Sequence, residues 1–331
     1  MNSKAEESSA AKPRTRAKAA VSSARKHLSP AAGEAAAKRL GVHFTSPDRI
    51  AYPEQGVTKG ELAAYYEAVA KRMLPFIADR PLSLVRCPQG RAKYCFFQKH
   101  DSGGFPEAFK SVAIHEKDGK AEDYFYIDDV AGLIGGVQMN VLEFHIWGSK
   151  RDDIEKPERI IFDLDPDEGL GFAAVRAAAT DVRDMLTRIG LKTFPLLSGG
   201  KGVHVIAPLQ PAANWETTKA FCREIALKLE RERPNQFVAN MAKAKRKGKL
   251  FVDYLRNERG STAIAPFSTR SRENCPVAMP IAWDELATVK AANAFSLAEG
   301  AARAQGPDPW KGYFDVRQSI TADLIGAVSG A

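Results

Sequence analysis

The chain has 331 residues, 44% hydrophobic and 27% charged, with a formal net charge of +8, which is enough apolar content for one large domain or two compact lobes. No stretch approaches the roughly 20 apolar residues of a membrane span, and the amino terminus lacks the apolar core of a secretory signal, so a soluble cytoplasmic protein is predicted. Cys87, Cys95, Cys222 and Cys275 include no Cys-x-x-Cys pair, so inert thiols are expected rather than a zinc ribbon or a disulfide framework.

Residues 1–40 carry nine Lys or Arg against three Glu and almost no large apolar side chains, which reads as a disordered basic tail. Such a tail would add salt-sensitive attraction to phosphate backbones or serve only as a solubilising extension. Its Arg, Ser and Ala content also suits a mitochondrial address, against which Glu6 and Glu7 count. The remaining chain is close to neutral, so any nucleic-acid surface on it must be local. From Phe44 onward compact structure is predicted. Thr58 and Glu61 form a capping box ahead of a helix whose buried face carries Leu62, Tyr65, Tyr66 and Val69. Residues 82–86 and 141–147 read as strands, with His145 facing away from Phe144 and Ile146. A lone strand histidine is ordinarily a hydrogen-bonded structural residue. Arg159-Ile-Ile-Phe-Asp-Leu-Asp165 is a further strand, followed by a helical stripe at Val175, Ala179, Val182, Leu186 and Ile189 that stops at Gly190. A strand over 203–207, a helix through Phe221, Ile225 and Leu229, and a strand over 250–255 complete the pattern, with no internal repeat. Lys243, Lys245, Arg246, Lys247 and Lys249 form a basic run just before that last strand. Alone it reads equally as a solvated loop or a phosphate-binding patch.

Two constellations carry chemistry. Alternation along a strand puts Asp163 and Asp165 on one face, and Asp253 stands in a comparable apolar strand. Like charges held so close call for a cation, and a hard oxygen-liganded ion such as Mg2+ or Mn2+ fits. Most Asp-x-Asp pairs are turn or cap residues, but this one closes a buried strand. An EF-hand beginning at Asp163 fails, because Glu168 and Ala174 occupy the positions that need Gly and Glu. An aspartyl-phosphate phosphatase shares the apolar strand ending in Asp-x-Asp, yet Pro166-Asp167 departs from its usual continuation. The second constellation is Ser198-Gly-Gly-Lys201-Gly-Val-His204, a glycine-rich turn opening a strand. Its amides, the Ser198 hydroxyl, Lys201 and His204 suit a phosphate cradle. It lacks Walker A spacing, and taken alone it is equally an ordinary turn. Together the two constellations fit two-metal phosphoryl transfer by a nucleotidyltransferase.

Phe162-Asp-Leu-Asp-Pro166, Ser198-Gly-Gly-Lys-Gly-Val-His204 and Val252-Asp-Tyr-Leu-Arg256, in that order, resemble the polymerase domain of bacterial DNA ligase D. This family belongs to the archaeo-eukaryotic primase superfamily and serves non-homologous end joining. The resemblance covers about Phe44 to Ile320. It implies an α+β fold, with a smaller amino-terminal α/β module over about 41–140, a catalytic core with an RRM-like sheet over about 141–320, and a carboxyl-terminal tail over 321–331. It implies that Asp163, Asp165 and Asp253 bind two Mn2+ or Mg2+ ions, and that His145, Ser198, Lys201, His204, Arg256 and Arg270 contact an NTP or dNTP. Ser46, Arg49 and Lys59 match a pocket for a DNA 5′-phosphate, although relatives often carry Asn at the first position. Phe96 and Phe97 match a pair that stacks on template bases, whereas composition alone reads them as core. The run Lys243, Lys245, Arg246 and Lys247 becomes a DNA-binding loop. The resemblance further implies a few-residue, ribonucleotide-favouring extension at gaps and break ends near the bacterial nucleoid, with a Ku-like partner. No Lys-x-Asp-Gly adenylation motif is present, so sealing falls to a ligase in trans or fused. A de novo primase and a noncatalytic end-bridging module are the competing readings. The missing cysteine cluster counts against a zinc-bearing replicative primase.

Overall fold

The computed structural model describes residues 13–101, 103–116 and 118–329. Where a disordered tail was expected, helices α1 (Pro13–His27) and α2 (Pro30–Arg39) form instead; residues 1–12 of that expected tail lie outside the described residues. The scarcity of large apolar groups misleads because small residues pack closely. Ser29 caps α2 by accepting from Ala32 N, and the buried Gly33, Ala36 and Ala37 lie against a neighbouring helix. A Cβ at Gly33 would come within 2.0 Å of Gly60 O, so only a glycine permits that approach.

The chain continues through the hairpin β1 (Ile50–Tyr52) and β2 (Val57–Thr58) into α3 (Lys59–Ile77), which starts with both halves of the Thr58–Glu61 capping box. Strands β3 (Leu82–Arg86) and β4 (Phe96–Gln98), the separate hairpin β5 (Lys110–His115) and β6 (Ala121–Tyr126), helix α4 (Val130–Gln138) and strand β7 (Val141–Trp147) follow. Cys87 and Cys95 are joined by a disulfide, contrary to the expectation of free thiols. The β3–β4 turn brings them together, a proximity that their eight-residue spacing does not signal. Cys222 and Cys275 are free and buried, and burial pushes both thiols up.

Strand β8 (Arg159–Pro166), α5 (Phe172–Arg188), β9 (Phe194–Leu197), β10 (Val203–Pro208), α6 (Trp215–Glu232), β11 (Phe237–Val238) and β12 (Leu250–Asp253) form the heart of the second half. Leaving aside β11, their order is β-α-β-β-α-β, and the strands lie β12-β8-β10-β9 with every neighbour antiparallel. This is the RRM-like arrangement expected, within a mixed helix-and-sheet, α+β fold. Strands β11 and β14 (Met279–Pro280) extend its two edges, and β13 (Thr262–Ile264) joins a second sheet ordered β13-β7-β3-β4. That second sheet crosses the proposed division near residue 140, because β3 pairs with β7 from the other half. Helices α7 (Trp283–Leu286) and α8 (Leu297–Ala304) follow, and α8 packs on α1 and α3. The expected tail over 321–331 is helical as α9 (Ala322–Ser329), with Val328 buried and the helix against α6. No helix among the described residues is long and apolar enough to cross a membrane.

Alternation along β8 sorts the core from the chemistry. Ile160, Phe162 and Leu164 enter the main core with Val175, Val182, Phe221 and Ile225 of α5 and α6, leaving Asp163 and Asp165 on the opposite face. Asn257 fixes the neighbouring turn. Its Oδ1 accepts from Ile161 N at 2.8 Å, and its Nδ2 donates to Ile161 O at 2.7 Å and Tyr254 O at 2.9 Å. Asn257→Ala removes the partners of the buried Ile161 N and O, at about 1–3 kcal/mol each. Chemical denaturation should show a loss of about 2–4 kcal/mol; a loss under 0.5 kcal/mol would refute this anchoring role.

Candidate active site

Strand register assembles the acidic cluster. Asp163 lies opposite Asp253 on one side and His204 on the other, so all three share a face with Asp165. His204 Nε2 is 3.3 Å from Asp163 Oδ1, and Arg256 Nε is 3.3 Å from Asp163 Oδ2 and 3.2 Å from Asp253 Oδ2. Arg256 comes to this place because Asp253 ends β12: Asp253 Oδ1 accepts from Leu255 N at 2.9 Å and turns the chain back.

The charge balance is uneven. Burial raises Asp163, but His204 and Arg256 outweigh it and hold the carboxyl at about 2. Burial and then the Asp163 charge push Asp165 up to about 6, and burial also raises Asp253 against the pull of Arg256. Two of the three carboxylates therefore lack sufficient positive charge, and their hard oxygen donors fit a divalent ion. As the side chains stand, no group of three or more His, Cys, Asp or Glu among the described residues is close enough to share one ion. Arg256 occupies the space between Asp163 and Asp253. Its side chain is 39% exposed, which leaves it room to swing away.

The glycine-rich turn lies against this cluster. Ser198 Oγ donates to Gly202 O at 2.8 Å and accepts from Gly200 N at 3.2 Å. Gly199 has φ +67°, and a Cβ at Gly202 would sit 2.5 Å from Leu164 O, so the turn closes this tightly only with glycines. Arg270 Nη1 donates to Ser198 O at 2.6 Å and its Nε lies 3.0 Å from Glu143 Oε2. Glu143 also meets His145 Nε2 at 2.8 Å, and its Oε1 accepts from Ser271 N and Oγ. Burial would raise Glu143, but His145, Arg270 and Ser271 hold it well below the usual carboxylate range. Burial lowers His145, with Glu143 opposing. His204 Nδ1 and the Nε atoms of Arg256 and Arg270 are buried without an aligned hydrogen bond among the described residues, despite the close carboxylates. Lys201 is exposed beside the turn.

A second cluster forms at the start of α3. Lys59 is buried and donates from Nζ to Thr45 O at 2.7 Å and Gln138 Oε1 at 2.6 Å, over the ring of Phe44. Burial, then the charge of Arg49, lowers Lys59 to about 8. Arg49 reaches Asn140 Oδ1 at 3.3 Å, and Ser46 turns the chain with φ 54° while its carbonyl accepts from Arg49 N at 3.1 Å. Ser46, Arg49 and Lys59 are thus brought together. On edge strand β4, Phe97 is 67% exposed, against the core reading from composition, and its ring contacts His145 at 5.6 Å. Phe96 is half-buried, stacked beneath the exposed Tyr94 and faced by Arg86. The basic run forms a 3-10 turn over Lys243–Lys245 with Lys243, Lys245 and Lys247 exposed. Arg246 lies 3.7 Å over Phe251, the residue opposite Asp165, so the loop borders the acidic face.

Sequence reasoning passed over Glu143, Gln138 and Asn140. Glu143 was legible, since it alternates with His145 on one strand face. Gln138 at the end of α4 and Asn140 in the turn after it reach the Lys59 cluster across a large sequence gap and carry no local signal.

The model for the LigD primase-polymerase domain matches residues 58–310. The multifunctional non-homologous end joining protein LigD of Pseudomonas aeruginosa is 36% identical over 300 residues, covering 88% of this chain and 35% of the relative. The bifunctional non-homologous end joining protein LigD of Bacillus subtilis is 32% identical over 246 residues, covering 74% of this chain and 39% of the relative. This chain thus spans little more than a third of either protein. The polymerase domain from Mycobacterium tuberculosis ligase D in complex with DNA superposes with a TM-score of 0.76 at 32% identity, covering 83% of this chain and 99% of that one. The phosphatase reading finds no support in these matches, and the chain belongs to the LigD primase-polymerase domain family.

Proposed function

We propose that this chain is a template-directed, primer-extending nucleotidyltransferase that acts at gaps and double-strand break ends in bacterial non-homologous end joining. The observation that carries the reading is the shared face of Asp163, Asp165 and Asp253 beside the anion-accepting turn at Ser198. Asp163, Asp165 and Asp253 would hold two Mn2+ or Mg2+ ions. Bound there, the ions would lower the pKa of the primer hydroxyl and stabilise the leaving pyrophosphate. Ser198, Lys201, His204 and Arg270 hold the triphosphate, with His204 Nδ1 and Arg270 Nε now without aligned hydrogen-bond partners among the described residues. Arg256 withdraws from between Asp163 and Asp253 and turns its charge to the nucleotide. Glu143 fixes the ring of His145 beside Phe97, where the base pair forms. Phe96 and Phe97 stack on the template, Lys243, Lys245, Arg246 and Lys247 track its backbone, and Ser46, Arg49 and Lys59 receive the 5′-phosphate of the downstream strand. Ribonucleotides are preferred, and a Ku-like protein and a ligase complete the repair.

The chemistry is tested by extension of a labelled primer on a gapped, 5′-phosphorylated duplex with Mn2+ and either NTPs or dNTPs. Asp165→Ala is expected to lower templated addition roughly 10²–10³-fold while leaving duplex affinity within about threefold. Tight end binding with no addition by the wild type would establish the end-bridging module instead. Product formed without any primer would establish a de novo primase.

Lys59→Ala should weaken binding to 5′-phosphorylated ends about tenfold and leave hydroxyl ends unchanged. Equal losses on both would eliminate the pocket. Because burial lowers Lys59 to about 8, its cation is present below that pH and lost as pH rises through it. The wild-type preference for phosphorylated over hydroxyl ends should therefore be full at pH 7 and decline from pH 8 to 9; a preference flat across that range contradicts the assignment.

A further inference from the structure

Away from the acidic cluster, at the other end of β8, a cavity of about 160 Å³ opens between the carboxyl end of α3, the loop after β7 and residues 313–317. Arg159, behind it, precedes Asp165 by six residues along the strand, roughly 20 Å. Arg80 lines this cavity and is only 3% exposed. It donates to Phe76 O at 3.1 Å, Gly148 O at 3.0 Å and Glu158 Oε2 at 2.5 Å. Arg159 is 4% exposed, donates to Phe76 O at 3.3 Å, and its buried Nε has no hydrogen-bond partner among the described residues. Lys150 and the exposed Arg317 stand at the rim, and Glu158 is the only carboxylate lining the cavity among the described residues.

Buried charge is normally matched, residue for residue, by an opposite charge. Here Arg80 pairs with Glu158 while the buried Arg159 pairs with no carboxylate among the described residues, and burial with the charge of Arg159 pulls Arg80 down to about 10. Capping the last carbonyls of α3 accounts for the donations from Arg80 and Arg159 to Phe76 O. It leaves the charge excess and the rim cation Lys150 unexplained; Arg317 donates from Nη1 to Phe314 O at 2.8 Å and Val316 O at 3.1 Å, and no carboxylate among the described residues offsets its charge at the rim. A phosphate group, singly charged as a backbone diester and nearly doubly charged as the free anion, supplies the missing counter-charge together with several acceptor oxygens. The cavity is smaller than the roughly 300 Å³ at which small-molecule pockets begin, so a whole nucleotide does not fit but one phosphate group does.

We propose that the cleft lined by Arg80, Lys150 and Arg317 is a phosphate-binding site distinct from the 5′-phosphate cluster at Lys59. Its occupant is either free inorganic phosphate or one backbone phosphate of a nucleic-acid strand lying across this face.

The test follows thermal melting of the whole chain in inorganic phosphate against chloride at equal ionic strength. The expected result is a saturable rise in melting temperature in wild type and in Lys59→Ala. In a Lys150→Ala/Arg317→Ala double variant the phosphate Kd should rise at least tenfold. Arg317 is exposed and Lys150 half-buried, and equal melting of the double variant and wild type in chloride verifies that it folds. Templated extension by the double variant should stay within twofold of wild type. Adding a hydroxyl-ended duplex to Lys59→Ala separates the sources: displacement of phosphate identifies a strand, and no displacement identifies the free anion. A phosphate response that is absent in wild type, unchanged in the double variant or lost in Lys59→Ala overturns the proposal.

Discussion

The acidic face exists because one strand serves two environments. Strand β8 gives Ile160, Phe162 and Leu164 to the packed side under α5 and α6, and the same alternation delivers Asp163 and Asp165 to the other side. Burying carboxylates there is unfavourable unless cations approach them. His204 and Arg256 meet that demand for Asp163 and leave Asp165 and Asp253 only partly compensated. The apolar packing thus forces a charge imbalance that the proposed reaction would exploit.

The surrounding residues answer to that constraint. His204 arrives by strict antiparallel pairing with Asp163, and Asp253 by pairing on the other side. Gly202 is fixed by the closeness of the Leu164 carbonyl, so the turn before β10 has little choice of residue. Asn257 ties the turn carrying Arg256 to the backbone of β8 at Ile161. Arg270 then links Ser198 to Glu143, which in turn holds His145. The result joins a six-stranded and a four-stranded sheet through charged side chains.

The cluster around Lys59 works by a different logic. Its cation is buried and satisfied mainly by neutral oxygens from Thr45 and Gln138, so its charge is weakly held and its pKa falls. A phosphate group offers the charge that these neutral acceptors lack. At the far end of β8, Arg80 pairs with Glu158 while the buried Arg159 meets only the Phe76 carbonyl, a related shortage of counter-charge in a different place.

The sequence by itself determined the strand bearing Asp163 and Asp165, the capping box at Thr58, the Gly-rich turn and the core periodicity of α3, α5 and α6. Each is a local pattern read through alternation, a 3.6-residue period or a three-residue cap. The α+β class and the family were legible for the same reason, since short motifs kept their order. Only tertiary structure decided that residues 13–39 pack as helices, because the Gly33–Gly60 approach depends on a partner helix. It likewise decided that β7 pairs with β3, which joins the two predicted modules, and that Cys87 meets Cys95. Phe97 projecting outward, Arg256 standing between two aspartates and Gln138 reaching Lys59 all depend on contacts between distant segments. Residue type and spacing carry no record of such contacts, because they follow from how separately formed elements are brought together.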